Sequence, residues 1–275
     1  QDVRNMSITA MHPTDKEFWV YMEFFEKRGV EVGFNGIVGN VLYIHTTYLD
    51  LPQELIASNV LAEAQRLLEV DPEEYGYTFL GKWRDNVEGA VYKRHEINYF
   101  SLLKLMEADP KPLMRIAFID VADEGIDYLS MPIGYIIGNL CYVVDWYFSA
   151  DDNTDISIPM CAEYSQMHKL DYVAVETNGL GSIFSKELNK LLPYSTDIIE
   201  VKQNSKSKKH ARILEGAGSV KMRMVFRDDV QKSSMYGQAM TQFFKYNKDK
   251  SKNKNDDAPD SITGLHLLSE DLRNL

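Results

Sequence analysis

The run Leu113-Met114-Arg115-Ile116-Ala117-Phe118-Ile119 constrains this chain more than any other stretch. It is apolar but for Arg115, and it is too short for a buried helix. A strand apolar on both faces belongs inside a sheet that is covered on both sides. Beyond this run the chain alternates. Residues 134–137 and 140–147 flank Gly138-Asn139, which predicts a two-residue hairpin turn. Periodicity then predicts a helix over 158–170, a short buried strand over 172–175, a helix over 183–192 and a strand over 197–202. A helix over 209–215, a strand over 221–226, and helices over 230–246 and 258–268 complete the series. Such alternation predicts an α/β sheet flanked by helices.

The segment before it reads as a separate unit. Residues 1–99 and 113–275 are divided by a linker over 100–112, whose apolar start forms a short helix stopped by Pro110 and Pro112. In the first unit, residues 6–10 read as a short strand and 17–27 as an amphipathic helix with Phe18, Tyr21, Phe24 and Phe25 on one face. Residues 30–35 and 41–47 read as a hairpin, 53–70 as a helix, and Asp71-Pro72 as the start of another. The chain opens on Gln1 without an initiator Met, which suggests a piece of a longer protein.

Composition narrows the function less than the pattern does. No run approaches the ~18 apolar residues of a membrane span, so no membrane partner is expected. Cys141 and Cys161 make no CxxC pair and the six histidines are scattered, which argues against zinc and for buried reduced thiols. The net charge of −11 argues against a simple nucleic-acid binder but suits a site that gathers carboxylates.

Those carboxylates share one habit. Asp120 ends the apolar strand in Ile119-Asp120-Val121-Ala122-Asp123-Glu124-Gly125. Glu176 ends another in Val175-Glu176-Thr177-Asn178-Gly179, and Asp256-Asp257 precede a helix. Ligands of open α/β sheets gather at the carboxyl ends of strands. An oxygen-rich, negative pocket there calls for a hard divalent cation, Mg²⁺ or Mn²⁺. Two such ions about 3.5–4 Å apart can hydrolyse a phosphodiester. Asp120, Glu176, Asp256 and Asp257 are therefore the expected metal ligands, with Asp120 bridging. Asp120, Glu176 and Asp257 are the expected catalytic residues, and Asp123 and Asp260 are accessory candidates. Asp256-Asp257 before Ala258-Pro259 also reads as a helix cap.

These motifs, with Asn255-Asp256-Asp257-Ala258-Pro259-Asp260, resemble the large terminase subunit of tailed bacteriophages. Asn255 stands where a His is common in that family. The resemblance implies a ribonuclease H-like nuclease domain over 113–275. It also implies that residues 1–99 are the smaller α/β end of an ATPase domain, from Ile8-Thr9-Ala10-Met11-His12-Pro13-Thr14, His45-Thr46-Thr47-Tyr48-Leu49-Asp50 and Leu80-Gly81-Lys82-Trp83. No G-x-x-x-x-G-K-[ST] loop is present, so ATP is expected to act only in a full-length protein.

The implied activity is metal-dependent endonuclease cutting of concatemeric double-stranded viral DNA during genome packaging. The implied partners are DNA, the portal protein, the small terminase subunit and further copies on the portal. The implied place is the host-cell cytoplasm, outside the mature virion. Lys206, Lys208, Lys209 and Arg212 make a basic segment suited to DNA phosphates. Lys248, Lys250, Lys252 and Lys254 read equally as a second such segment or as a solvated mobile loop. Two other readings are a resolvase- or transposase-type nuclease and a non-catalytic docking module of the motor.

Overall fold

The apolar run becomes the middle of a seven-stranded sheet in the computed structural model of the chain. The structure describes residues 8–16, 18–84, 89–121, 128–150, 153–178, 181–202 and 206–274, without the side chains of Glu73, Lys206, Ser207 and Lys208. Asp123 lies outside the described residues. Chain contacts divide the molecule into two units, 1–87 and 88–275.

The first unit carries a hairpin of β1 (Gly36–Val38) and β2 (Val41–Tyr43), then α1 (Ser58–Val70) and α2 (Pro72–Leu80). The expected strand over 30–35 appears instead at β1. The reversal falls on Gly39-Asn40, and the turn sets the register. The helix expected over 17–27 is a π-helical turn at Tyr21–Glu26, where Tyr21 and Phe25 pack their rings on Trp83. Residues 8–10 are not in a strand, and 6–7 lie outside the described residues. Asp71 accepts from the Glu74 N–H and Pro72 opens α2, as the Asp-Pro pair predicts.

The second unit begins with β3 (Asn98–Phe100) and α3 (Leu102–Ala108). It continues through β4 (Met114–Ile119), β5 (Leu129–Ile137), β6 (Leu140–Ser149), α4 (Thr154–His168), β7 (Tyr172–Glu176) and α5 (Gly181–Asn189). It ends with β8 (Asp197–Val201), α6 (Lys206–Arg223), β9 (Met224–Arg227), α7 (Met235–Lys245) and α8 (Asp257–Arg273). The strand order is β3-β9-β6-β5-β4-β7-β8. The β4–β5 and β5–β6 pairs are antiparallel and the other pairs parallel, a mixed sheet.

Alternation along β4 sends Ile116 and Phe118 to one core and Ala117 and Ile119 to the other. The first core is roofed by α6, α7 and α8, the second by α4 and α5. The fold class is the expected one as far as its architecture goes: an α/β mixed sheet flanked by helices. The division falls after residue 87 rather than 99 because Val91, Tyr92 and Ile97 are buried in the first core and β3 pairs with β9. Cys141 and Cys161 are buried and free. Among the described residues no helix is long and apolar enough to cross a membrane.

α8 lies against β4 and β5 at close range. A Cβ on Gly264 would come within 2.5 Å of the Phe118 ring, so only a glycine lets the helix settle there. A buried hydroxyl chain fixes the same seat. The Trp146 indole N–H donates to Ser130 Oγ at 2.9 Å, and Ser130 and Ser261 Oγ are 2.7 Å apart. Ser261 Oγ in turn donates to the Ala258 carbonyl, so Ser130 must be the donor to Ser261.

Candidate metal centre

The site is built where β4 and β7 end side by side. They run parallel with Ile119 opposite Val175, so Asp120 and Glu176 leave the sheet abreast. Asp120 is held by paired backbone bonds with Ser130, each N–H to carbonyl 3.0 Å. Glu176 is followed by a chain reversal into α5. A Cβ on Gly181 would fall 1.9 Å from the Glu176 carbonyl oxygen, so this close approach needs glycine. Asn178 Nδ2 donates to Glu176 Oε1 at 2.7 Å.

The third carboxylate is Asp260, which the sequence marks only as accessory. One oxygen each from Asp120, Glu176 and Asp260 lie within 4.8 Å of one another. Asp260 is 0% exposed and Asp120 7%. The helix phase explains the choice. Asp260 and Gly264 are four residues apart, on one face of α8, and Gly264 meets Phe118 of β4. Asp260 therefore faces the end of that strand.

Asp257 and Asp256, expected as ligands, sit beside this group instead. Gln242 Nε2 donates to Asp257 Oδ2 at 3.1 Å, while Gln242 Oε1 accepts from the Ala258 N–H at 2.6 Å. That amide satisfies the start of α8, and the Asp256 side chain makes no capping bond. Asp256 reaches Lys209 instead, at 2.9 Å.

Lys209 and Arg212, expected to face DNA, turn inward from α6. Lys209 Nζ lies 3.1 Å from Asp120 Oδ2, 2.9 Å from Asp256 Oδ1 and 3.2 Å from Asp260 Oδ2. Arg212 pairs with Asp260 Oδ1. Both cations compensate buried carboxylates, which would otherwise carry a large desolvation cost. The side chains of Lys206 and Lys208 lie outside the described residues.

The electrostatics are those of a crowded acid cluster. Burial, reinforced by Asp260, Glu176 and Asp257, holds the Asp120 carboxyl well above the usual carboxylate range, although Lys209 pulls it back. Burial and the neighbouring Asp260 raise Glu176. Burial pushes Asp257 up to about 6 against the pull of Lys209. Burial disfavours the Lys209 ammonium, but Asp120, Asp260 and Asp256 outweigh it and raise its pKa.

A divalent cation fits this donor set. Glu176 Oε2 and Asp260 Oδ2 are buried with no hydrogen-bond partner. The Asp260 oxygen is close to Lys209 but outside hydrogen-bond geometry. A buried acceptor left unsatisfied costs roughly 1–3 kcal/mol. Hard carboxylate oxygens converging on one point are the ligands that Mg²⁺ and Mn²⁺ prefer.

Residues 119–223 match a family model described as the ribonuclease H-like domain of the bacteriophage T7 terminase. Over these residues the chain is similar to a terminase ribonuclease H-like domain. The match takes in Asp120, Glu176, Lys209 and Arg212; Asp260 lies beyond it. The resemblance carried by the sequence motifs is thereby borne out at the level of the terminase family.

Solved structures similar to the chain include the large terminase of a thermophilic bacteriophage, at 12% identity and TM-score 0.44, covering 95% of this chain and 60% of that one. The human cytomegalovirus terminase nuclease domain, Mn-soaked and inhibitor-bound, is 11% identical with TM-score 0.47. That match covers 66% of this chain and 96% of that domain. The nuclease domain of the large terminase subunit of bacterial virus Sf6 is 9% identical with TM-score 0.42, over 65% of this chain and 97% of that one. The chain thus spans about 60% of the length of the thermophilic phage protein. No curated protein matches the chain.

Proposed function

We propose that the terminase ribonuclease H-like domain is a metal-dependent endonuclease that cuts double-stranded viral DNA during genome packaging. The observation that carries this is the meeting of Asp120, Glu176 and Asp260 oxygens within 4.8 Å, two of those residues holding a buried oxygen without a hydrogen-bond partner. Asp120, Glu176 and Asp260 would hold the cations, two Mg²⁺ or Mn²⁺ ions in this reading. When bound, such ions acidify the attacking water and offset charge on the leaving oxygen.

The chain's own groups do the rest. Arg212 fixes the Asp260 carboxylate, and Asn178 fixes that of Glu176. Lys209 keeps three carboxylates together when no metal is bound. Gln242 orients Asp257, which adds negative charge beside the centre without joining it. Residues 1–87 would be the end of the motor's ATPase domain, with its phosphate-binding part elsewhere in a longer protein. Portal, small subunit and further copies of the chain would be the partners, in the host cytoplasm.

Plasmid cleavage tests the reading. Supercoiled DNA should be nicked or linearised with Mn²⁺ or Mg²⁺ and untouched in EDTA. Asp120→Asn, Glu176→Gln and Asp260→Asn should each lower the rate ~100-fold or more, beyond the usual cost of losing a residue behind the ligands. Asp257→Asn should cost less. Equal cutting by the parent and Asp120→Asn would defeat the assignment. Metal binding without any cutting would favour the docking-module alternative.

A further inference from the structure

The lysine-rich stretch between α7 and α8 reads in sequence equally as a DNA-facing segment or as a mobile charge run, and its backbone is tied down on several sides. The Val91 N–H donates to the Tyr246 carbonyl at 2.8 Å, and the Lys248 N–H to the Gly89 carbonyl at 2.9 Å. Asn253 clasps Asn247 through both its amide atoms, at 2.7 and 2.8 Å. Asp249 Oδ1 accepts from Ser251 N–H at 3.0 Å, closing a 3-10 turn over Lys250–Lys252.

His210, next to Lys209 on α6, closes the clasp. Its Nε2 is 3.2 Å from the Lys248 carbonyl and its Nδ1 is 2.7 Å from the Tyr246 hydroxyl. A carbonyl only accepts, so Nε2 carries the proton. In the neutral ring Nδ1 then accepts from Tyr246.

The side chains do the opposite of the backbone. Lys248, Lys250, Lys252 and Lys254 are all exposed. None forms an ion pair with another described residue. The stretch leads directly to Asp256, which touches Lys209 at the acid centre.

That juxtaposition answers a physical problem. A chain of net charge −11, with five aspartates and glutamates clustered at its site, repels a phosphodiester over the ~8–10 Å reach of unscreened charge. Lys209 and Arg212 are consumed by the carboxylates. Among the described residues, Lys248, Lys250, Lys252 and Lys254 lie on the stretch that leads into the site and are not paired with its carboxylates, so they can draw DNA in. Residues 247–257 contain no aromatic residue on which to stack single-stranded bases, and no large apolar residue to enter a lipid surface. Point charges on a pinned backbone suit the phosphates of a duplex, with little ordering entropy left to lose.

We propose that this pinned loop, Lys248 to Lys254, holds double-stranded DNA by its phosphates beside the acid centre. This rests on the nuclease reading above. The His210–Tyr246 pair is a positioning clasp for the loop, not a catalytic group.

The test compares the full chain with a quadruple variant, Lys248→Gln, Lys250→Gln, Lys252→Gln and Lys254→Gln. Binding of a labelled duplex is followed by anisotropy in EDTA across a salt series. The slope of log K against log salt should shrink by ~2–4, since each phosphate contact contributes about 0.9. With Mn²⁺, KM for DNA should rise on the order of tenfold, while the calorimetric Mn²⁺ affinity stays that of the parent. His210→Ala keeps all four lysines and should weaken binding with the slope retained. The double variant Lys186→Gln and Lys190→Gln, within and just after α5, should change neither.

An unchanged slope in the quadruple variant of a parent that cuts DNA overturns the loop's role and leaves the nuclease standing. A parent that binds duplex with the full slope but never cuts overturns the nuclease reading and leaves the loop's role. Binding of anionic vesicles as tight as that of duplex overturns the choice of DNA.

Discussion

Lys209 is the single residue on which the metal-free site depends most. Its ammonium touches Asp120, Asp256 and Asp260, all within 3.2 Å. Truncating one partner of a buried ionic group leaves the others uncompensated, typically at a cost of 3–5 kcal/mol. Lys209→Ala should therefore lower the stability of the protein in EDTA by ~3 kcal/mol. Added Mn²⁺ should restore more stability to this variant than to the parent. Thermal unfolding in EDTA and in Mn²⁺ measures both, and equal metal-induced shifts in the two proteins would contradict the arrangement. At this scale the sequence is legible for Asp120 and Glu176, because each ends an apolar strand. It is not for Asp260. Three aspartates crowd the start of α8, and which one turns inward depends on helix phase. The usable signal is Gly264, a small residue one turn beyond Asp260 on the same face.

The seating of α8 on the sheet carries that phase into the site. Gly264→Ala would drive a methyl into the Phe118 ring, and overpacking of this kind costs ~1–3 kcal/mol. Ser130→Ala would strand the buried Trp146 indole N–H and break the link to Ser261, again at ~1–3 kcal/mol. Both variants lie outside the carboxylate group, yet both should weaken Mn²⁺ binding, because Asp260 neighbours Ser261 and shares a face with Gly264. Denaturant unfolding and Mn²⁺ calorimetry check the two effects separately. A stability loss with unchanged metal affinity would show that α8 does not set the geometry of Asp260. Most elements of this unit are legible from periodicity: β4, the β5–β6 hairpin, β7, β8 and α8 fall within a few residues of expectation. β3 escapes it because three residues that pair only with β9 carry no local pattern. The pinning of the lysine loop is not legible in sequence because its anchors, Gly89, Val91 and His210, are distant along the chain.

For the whole molecule the acid centre makes stability depend on pH and metal together. Asp257 is pushed up to about 6, and Asp120 and Glu176 are raised. An acid whose folded pKa is raised contributes stability fully present below its unfolded value, ~4, and lost as pH rises through the folded one. Without metal the Asp257 part of this stability should fall between about pH 4 and 6, and the Asp120 and Glu176 parts should also decline as pH rises above ~4. Asp145 has the opposite sign. Burial would raise it, but His168 and the Trp146 N–H outweigh burial and lower it. Its contribution is present above ~4 and lost as pH falls further. Melting temperatures in EDTA should therefore be lower at pH 7.5 than at pH 5.5 relative to a variant with Asp257→Asn, and the gain on adding Mn²⁺ should be larger at the higher pH. The two-unit plan is also legible, from the change in pattern near Pro110. Its boundary is not, since residues 89–100 look like a tail of the first unit and are buried in the second. The central claim is that Asp120, Glu176 and Asp260 hold the catalytic cations. Anomalous diffraction from crystals soaked in Mn²⁺ tests it most directly. A peak among those three carboxylates, with Lys209 drawn away from Asp120, is the predicted result; no peak there, or one held by Asp257 without Asp260, would contradict it.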